Sequence, residues 1–132
     1  GLSVALGAAQ TKKLNQDKHL VYVLMGDGEQ QEGQVWEAAM YAAHNKIDNL
    51  IATIDYNGQQ IDGPVDKIVS LMNLKAKWES FGWHVEEFNG NKIEEVVTAL
   101  EKAKSLAGKG KPVMTLMRTE MGYGVDYMMG SH

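Results

Sequence analysis

With 132 residues, 44% of them apolar and 23% charged, the chain has the make-up of one globular domain, able to bury roughly two thirds of its unfolded surface. A formal net charge of −4 argues against nucleic-acid binding, which needs a basic face. The absence of cysteine excludes disulfides and thiolate metal sites, and fits a cytoplasmic protein. No apolar run approaches the ~20 residues of a membrane span and no signal-peptide pattern opens the sequence, so no membrane contact is expected.

Leu2, Val4, Ala5, Leu6, Ala8 and Ala9 make an apolar helix that turns polar from Gln10 to Lys13, and Asn15-Gln16-Asp17-Lys18 leads into the first strand. That strand, Leu20 to Met25, breaks at Gly26-Asp27-Gly28. Glu29 to Glu32 form a loop or a first helical turn, where acidic groups suit the positive end of the helix dipole. Val35, Trp36, Ala39, Met40 and Ala43 then recur at helical spacing. Asp48-Asn49 closes that helix, and a second strand, Leu50 to Ile54, ends at Asp55-Tyr56-Asn57-Gly58. Ile61-Asp62-Gly63-Pro64 is a turn. Asn73 caps a short helix with Leu74, Trp78 and Phe81 on one face, stopped by Gly82.

Trp83 to Phe88 is the third strand, and Asn89-Gly90 turns the chain. Asn91 with Glu94 predicts a capping box for the helix carrying Ile93, Val96, Val97, Leu100 and Ala103, which Gly108 stops. Val113 to Met117 is the fourth strand, and a flexible tail is expected over residues 121–132. Strands alternating with helices predict an α/β fold, an open and mainly parallel sheet with helices on both faces. The whole of 1–132 is expected to form one domain, and its termini read as those of a segment cut from something longer.

In such sheets ligands bind beyond the carboxyl ends of the strands, where Asp27 and Asn57 both stand. A carboxylate and an amide carbonyl are hard oxygen ligands, suited to Mg²⁺ or Ca²⁺. Two familiar phosphate motifs fail on particular residues: a dinucleotide fingerprint needs Gly where Gln31 stands, and a P-loop needs Lys where Gln34 stands. What remains is Gly-Asp-Gly, 28 intervening residues, then Asn57. Glycines let backbone amides approach a phosphate, while Asp27 and Asn57 hold a cation that neutralises it. Mg²⁺ takes few protein ligands and completes its shell with phosphate oxygens and water, so a diphosphate bridged to the domain by one Mg²⁺ follows.

Residues 26–38, Gly-Asp-Gly-Glu-Gln-Gln-Glu-Gly-Gln-Val-Trp-Glu-Ala, resemble the thiamine-diphosphate motif of transketolases. Asp48-Asn49-Leu50, the run from Asp55 to Gly63, Trp78 to Trp83 and Gly122-Tyr123-Gly124-Val125 extend the resemblance over nearly the whole chain. It implies a thiamine-diphosphate-binding domain that, in a complete enzyme, helps move a two-carbon ketol unit from a ketose phosphate to an aldose phosphate. Asp27 and Asn57 would be side-chain ligands of Mg²⁺, with Ca²⁺ an alternative, and the Gln59 carbonyl a third. Gly26, Gly28, Glu29 and Ile61 would contact the cofactor, the Gly28 amide on the diphosphate and Ile61 by the thiazolium or the cofactor's underside.

Glu32 matches a glutamate used at the subunit interface, near the glutamate that activates the cofactor. The pyrimidine-binding domain that carries the activating glutamate is not in this chain, so a second subunit or domain is an expected partner beside the sugar phosphates, in a homo- or hetero-oligomer. A substrate-binding histidine of the family would fall just past the end; His132 lies near that region and is left unassigned. Two other readings share the motif: a related ketol transferase such as dihydroxyacetone synthase, and an assembly subunit of a split transketolase. Simpler roles compete elsewhere. Asp and Asn also favour turns, His44 and His84 read as structural, the tryptophans as core or interface, and Lys102, Lys104, Lys109 and Lys111 as a solvated face.

Overall fold

A computed structural model describes residues 1–129. In chain order its elements are α1 (Leu2–Leu14), β1 (Val21–Gly26), a 3-10 turn (Gly28–Gln31), α2 (Gly33–His44) and β2 (Leu50–Tyr56). A two-stranded hairpin of β3 (Gln59–Gln60) and β4 (Gly63–Pro64) follows, then one helical turn, α3 (Val65–Ile68), and α4 (Leu74–Ser80). The chain finishes with β5 (His84–Asn89), α5 (Ile93–Leu106) and β6 (Val113–Arg118).

β1, β2, β6 and β5 lie in that order in one sheet, and every pairing is parallel. The central strands are buried on both sides, which is why Leu50-Ile51-Ala52 and Val113-Met114-Thr115-Leu116, apolar but for the hydrogen-bonded Thr115, show no polar alternation. On one face, Leu2, Leu6 and Ala9 of α1, Val35, Ala38, Ala39 and Ala42 of α2, and Leu74 and Trp78 of α4 pack with Met25, Leu50, Ala52, Ile54, Met114 and Leu116. On the other, Ala103 of α5 meets Ile51 and Val113. Helices therefore cover both faces, as expected, although α5 leaves Tyr22 and Leu24 of the β1 edge exposed.

The tryptophans belong to the larger core. Trp78 is fully buried, with ring centroids 5.2 Å from Trp36 and 4.9 Å from Trp83. Trp83 Nε1–H donates to the Ala39 carbonyl at 2.9 Å, which ties the start of β5 to α2. Asp48 joins three elements at the opposite end of the sheet from the C-terminal strand ends. Its carboxylate pairs with Lys13 of α1 at 2.5 Å and accepts the Gly110 N–H at 2.9 Å, while its carbonyl accepts the Gly108 N–H at 2.8 Å. Burial pushes the Asp48 carboxyl up, but Lys13 and the Gly110 N–H together hold it below its ordinary value.

Two local expectations change. The Asn73 cap forms, its Oδ1 accepting the Ala76 N–H at 2.9 Å. The box predicted at Asn91 and Glu94 does not, because Lys92 is the N-cap residue of α5 and makes no side-chain cap bond. Asn89 Oδ1 takes the Asn91 N–H at 2.9 Å and holds it in the turn; Asn91 Oδ1 instead accepts the Glu120 N–H at 3.0 Å. Residues 61–64, expected to be a turn, are the tip and second strand of a hairpin, in which Gly63 and Pro64 pair with Gln60 and Gln59 and Ile61 and Asp62 form the tip. Residues 121–129 run through successive turns closed by bonds such as Val125 N–H to the Gly122 carbonyl at 3.0 Å. His132 lies outside the described residues. No helix among the described residues is long and apolar enough to cross a membrane.

Candidate functional site

β1 and β2 run side by side with Gly26 opposite Asp55, so their C-terminal loops emerge together. Asp27 caps the 3-10 turn after β1, its Oδ1 accepting the Gly28 N–H at 2.8 Å. Its Oδ2 reaches across to the second loop and accepts the Gly58 N–H at 2.6 Å. Gly58 sits at φ +74°, a conformation open to glycine at little cost, which is what points its N–H at Asp27. On the same loop Asn57 Oδ1 accepts the Gln59 N–H at 2.8 Å.

These residues line one cleft of about 450 Å³, formed by Gly26, Asp27, Gly28, Glu29, Gln31, Glu32, Asn57, Gln59, Gln60, Ile61 and Asp62. The expected site residues, scattered over 36 positions from Gly26 to Ile61, thus come together in space. Their surroundings differ. Glu29 Oε2 accepts the Gly26 N–H at 3.0 Å, so this acid is tied to the loop backbone. Glu32 is exposed at the N-cap of α2 without a side-chain cap bond. Ile61 is fully exposed at the hairpin tip. The Gly28 N–H, expected to face a diphosphate, donates to Asp27. Any side chain at 28 would press on Gln60, with a Cβ only 3.0 Å from its Cβ and Oε1.

Asp27 is the electrostatic centre of the cleft. Its side chain is 1% exposed, and it makes no ion pair among the described residues. Burial pushes its carboxyl above the ordinary aspartate value; the Gly58 and Gly28 N–H groups oppose the rise, and the nearby Asp55 charge adds to it. A buried carboxylate without a cation is costly. Close by, Gln59 Oε1 and Gln60 Oε1 are buried with no hydrogen-bond partner in the chain.

Among the described residues no group of three or more His, Cys, Asp or Glu side chains is arranged to hold a metal ion. One carboxylate, one amide oxygen and a backbone carbonyl fit a hard cation whose remaining ligands are phosphate and water. The residues present fit a metal–diphosphate group. His44 and His84 lie away from the cleft, the first at the exposed end of α2 and the second at the start of β5 with its N–H on the Pro112 carbonyl at 3.0 Å.

Gly58, Gln60, Asp55 and Thr119 also shape the site and were not singled out from sequence. Asp55 stands two residues before Asn57, and that period-2 spacing places both on one side of the strand end. Thr119 lies 64 positions from Asp55 and carries no such signal.

Residues 4–132 match the family model described as transketolase, thiamine diphosphate binding domain. The chain is 43% identical over 130 residues to the 6-deoxy-6-sulfo-D-fructose transketolase subunit SqwG of Clostridium sp. (strain MSTE9), covering 98% of this chain and 46% of that protein. It is 42% identical, with the same coverage, to an apulose-4-phosphate transketolase subunit of Phocaeicola vulgatus. The chain thus spans about half the length of the curated relatives it matches. Among solved structures, Campylobacter jejuni transketolase superposes with a TM-score of 0.90 at 34% identity, over 100% of this chain and 21% of that one. The Pichia stipitis transketolase complex with sedoheptulose 7-phosphate superposes with a TM-score of 0.76 at 29% identity, over 93% of this chain and 19% of that one. With the fold, the cleft and the motif in agreement, the chain belongs to the transketolase family, in its thiamine-diphosphate-binding domain.

Proposed function

We propose that this chain forms the metal- and diphosphate-holding part of a transketolase active site that a partner subunit or domain completes. The observation that carries the reading is the buried Asp27 carboxylate, without a cationic partner among the described residues, at the floor of a cleft shared with Asn57 and Gln59. In the proposed site the Asp27 and Asn57 side chains and the Gln59 carbonyl hold Mg²⁺; Ca²⁺ shares these donor preferences. Gly26, Gly28 and Glu29 form the loop against the diphosphate. The Gly28 N–H turns from Asp27 toward it, which glycine at that position permits. Ile61 supplies an apolar contact beside the thiazolium ring, and Glu32 meets the partner's activating group at the interface.

Bound thiamine diphosphate would supply the chemistry that breaks the bond beside a ketose carbonyl and carries the two-carbon unit to an acceptor aldose. The residues of this chain hold and orient; proton transfers belong to groups on the partner. The relatives named above are called subunits, and their names and the Pichia complex involve ketoses bearing a phosphate or sulfonate. An anionic ketose is accordingly the proposed substrate class. Assembly with a partner, as a dimer or a higher oligomer, and a cytoplasmic place among sugar-phosphate interconversions belong to the same proposal.

The test is a calorimetric titration of the assembled enzyme with thiamine diphosphate, with and without Mg²⁺, beside Asp27→Ala. Metal-dependent heat that disappears in the variant is expected. Equal affinity in the variant, or binding indifferent to metal, would overturn the metal assignment.

A further inference from the structure

An asparagine serves a cation only through its carbonyl oxygen, yet a side-chain amide can turn over and offer its NH₂ group. Here two neighbours agree on the choice: the Gln59 N–H needs the oxygen on its side, and Asp55 takes the NH₂ group on the other. Asn57 Nδ2–H donates to Asp55 Oδ2 at 3.2 Å, and an ionised carboxylate only accepts. With the NH₂ group held there, Asn57 Oδ1 is left to the cleft side, where it accepts the Gln59 N–H at 2.8 Å and keeps a second lone pair.

Asp55 is itself held. Its Oδ1 accepts a hydrogen bond from the Thr119 hydroxyl just beyond β6, and the Thr119 N–H approaches the Tyr56 carbonyl at 3.4 Å. The preceding residue, Arg118, stacks 3.7 Å from the Tyr56 ring centroid and pairs with Glu87 at 2.6 Å, so the ends of β2, β5 and β6 are tied where Thr119 leaves the sheet. Asn57 lines the cleft and Asp55 does not.

We infer that Asp55, anchored by Thr119, is a positioning residue that orients the Asn57 amide so that its oxygen faces the metal; this rests on the metal–diphosphate reading above. Groups that orient a ligand without touching the metal commonly change affinity about ten- to a hundredfold when removed.

In the assembled enzyme the quantity to read is the Mg²⁺ concentration giving half-maximal thiamine diphosphate binding, alongside the melting temperature of the cofactor-free protein. Asp55→Ala is expected to raise that midpoint about tenfold or more. Thr119→Val, which frees one oxygen of Asp55, should raise it by less. The exchange Asp55→Asn with Asn57→Asp reverses the hydrogen bond and conserves charge, and both oxygens of the new carboxylate can ligate. It should return the midpoint most of the way to wild type.

If wild type binds without metal, the site reading fails and this inference with it. If wild type needs metal and Asp55→Ala has the same midpoint, the site stands and Asp55 does not orient it. A raised midpoint that the exchange fails to restore makes Asp55 a support of the fold alone and overturns the inference. Should Asp55→Ala fail to fold, Thr119→Val decides: a raised midpoint supports the inference and an unchanged one overturns it.

Discussion

Two aspartates of this chain are held in opposite electrostatic states. Asp27 is buried with backbone N–H groups and no cation among the described residues, and its carboxyl is raised. Asp48 is paired with Lys13 and the Gly110 N–H, and its carboxyl is lowered. Removing the first should abolish metal-dependent cofactor binding, as the titration above reads. Removing the second should weaken the fold: Asp48→Ala breaks a charge-assisted bond to Gly110 and the tie between α1 and the α5–β6 turn, at a cost of roughly 1–3 kcal/mol near neutral pH.

The pH dependence of the Asp48 contribution has a definite sign. A carboxylate whose folded pKa is depressed binds fewer protons folded than unfolded, so its stabilisation is present above 3.8 and is lost as pH falls through the folded value. Melting temperatures of wild type and variant should therefore differ most above pH 3.8 and converge in stronger acid. A gap independent of pH would assign the loss to packing. At this scale the sequence was legible where a residue type has few uses: Asp27 and Asn57 stand out because hard-ligand side chains end two apolar runs. Asp48 carries only the end of a helix and a stretch of the family resemblance in the sequence, and its tie across the fold is hidden because its partners Lys13 and Gly110 are 35 and 62 positions away.

At the scale of elements, a helix cap depends on the turn that precedes it. Asn73 forms its cap, so Asn73→Ala should destabilise by about 1 kcal/mol. Glu94 belongs to no capping box, so Glu94→Ala should change stability by no more than about 0.5 kcal/mol. Denaturant melts of the two variants distinguish the patterns, and equal losses would restore the box. The aromatic core is more demanding. Trp78 packs between Trp36 and Trp83 at full burial, and Trp78→Ala should cost about 3–5 kcal/mol through the cavity it leaves. The mistaken box shows what a motif lacks. Asn-x-x-Glu spacing says nothing about the turn before it, and here Asn89 captures the Asn91 N–H first.

At the scale of the whole molecule, four strands and their helices were legible because buried parallel strands leave apolar runs and helices leave a 3.6-residue period. The strand order was not. Nothing in Val113 to Leu116 says that β6 lies between β2 and β5, yet that placement brings Thr119 to Asp55. The same scale bears on the proposed second surface. Its floor is polar, but the hairpin tip shows a fully exposed Ile61, and Met121 shares a hollow with Gln59, Gln60 and Ile61. Beyond it Tyr123, Val125, Tyr127 and Met129 are exposed as well. An apolar rim around a few convergent polar groups is the pattern of a site closed by ligand and partner.

Ile61→Asp separates the two states. Among the described residues Ile61 is fully exposed, so in the chain by itself the melting temperature should shift by no more than a ~0.5 kcal/mol change implies. In the assembled enzyme the new carboxylate would sit where an apolar ring surface and the partner close. Desolvating it there costs at least a few kcal/mol, and each 1.4 kcal/mol corresponds to about tenfold. Turnover of an anionic ketose with an aldose acceptor should therefore fall tenfold or more, while Asp27-dependent metal binding by the loop remains. Equal turnover in variant and wild type would place the hairpin tip outside the completed site. A large loss of stability in the isolated chain would mean that Ile61 already has a partner within it.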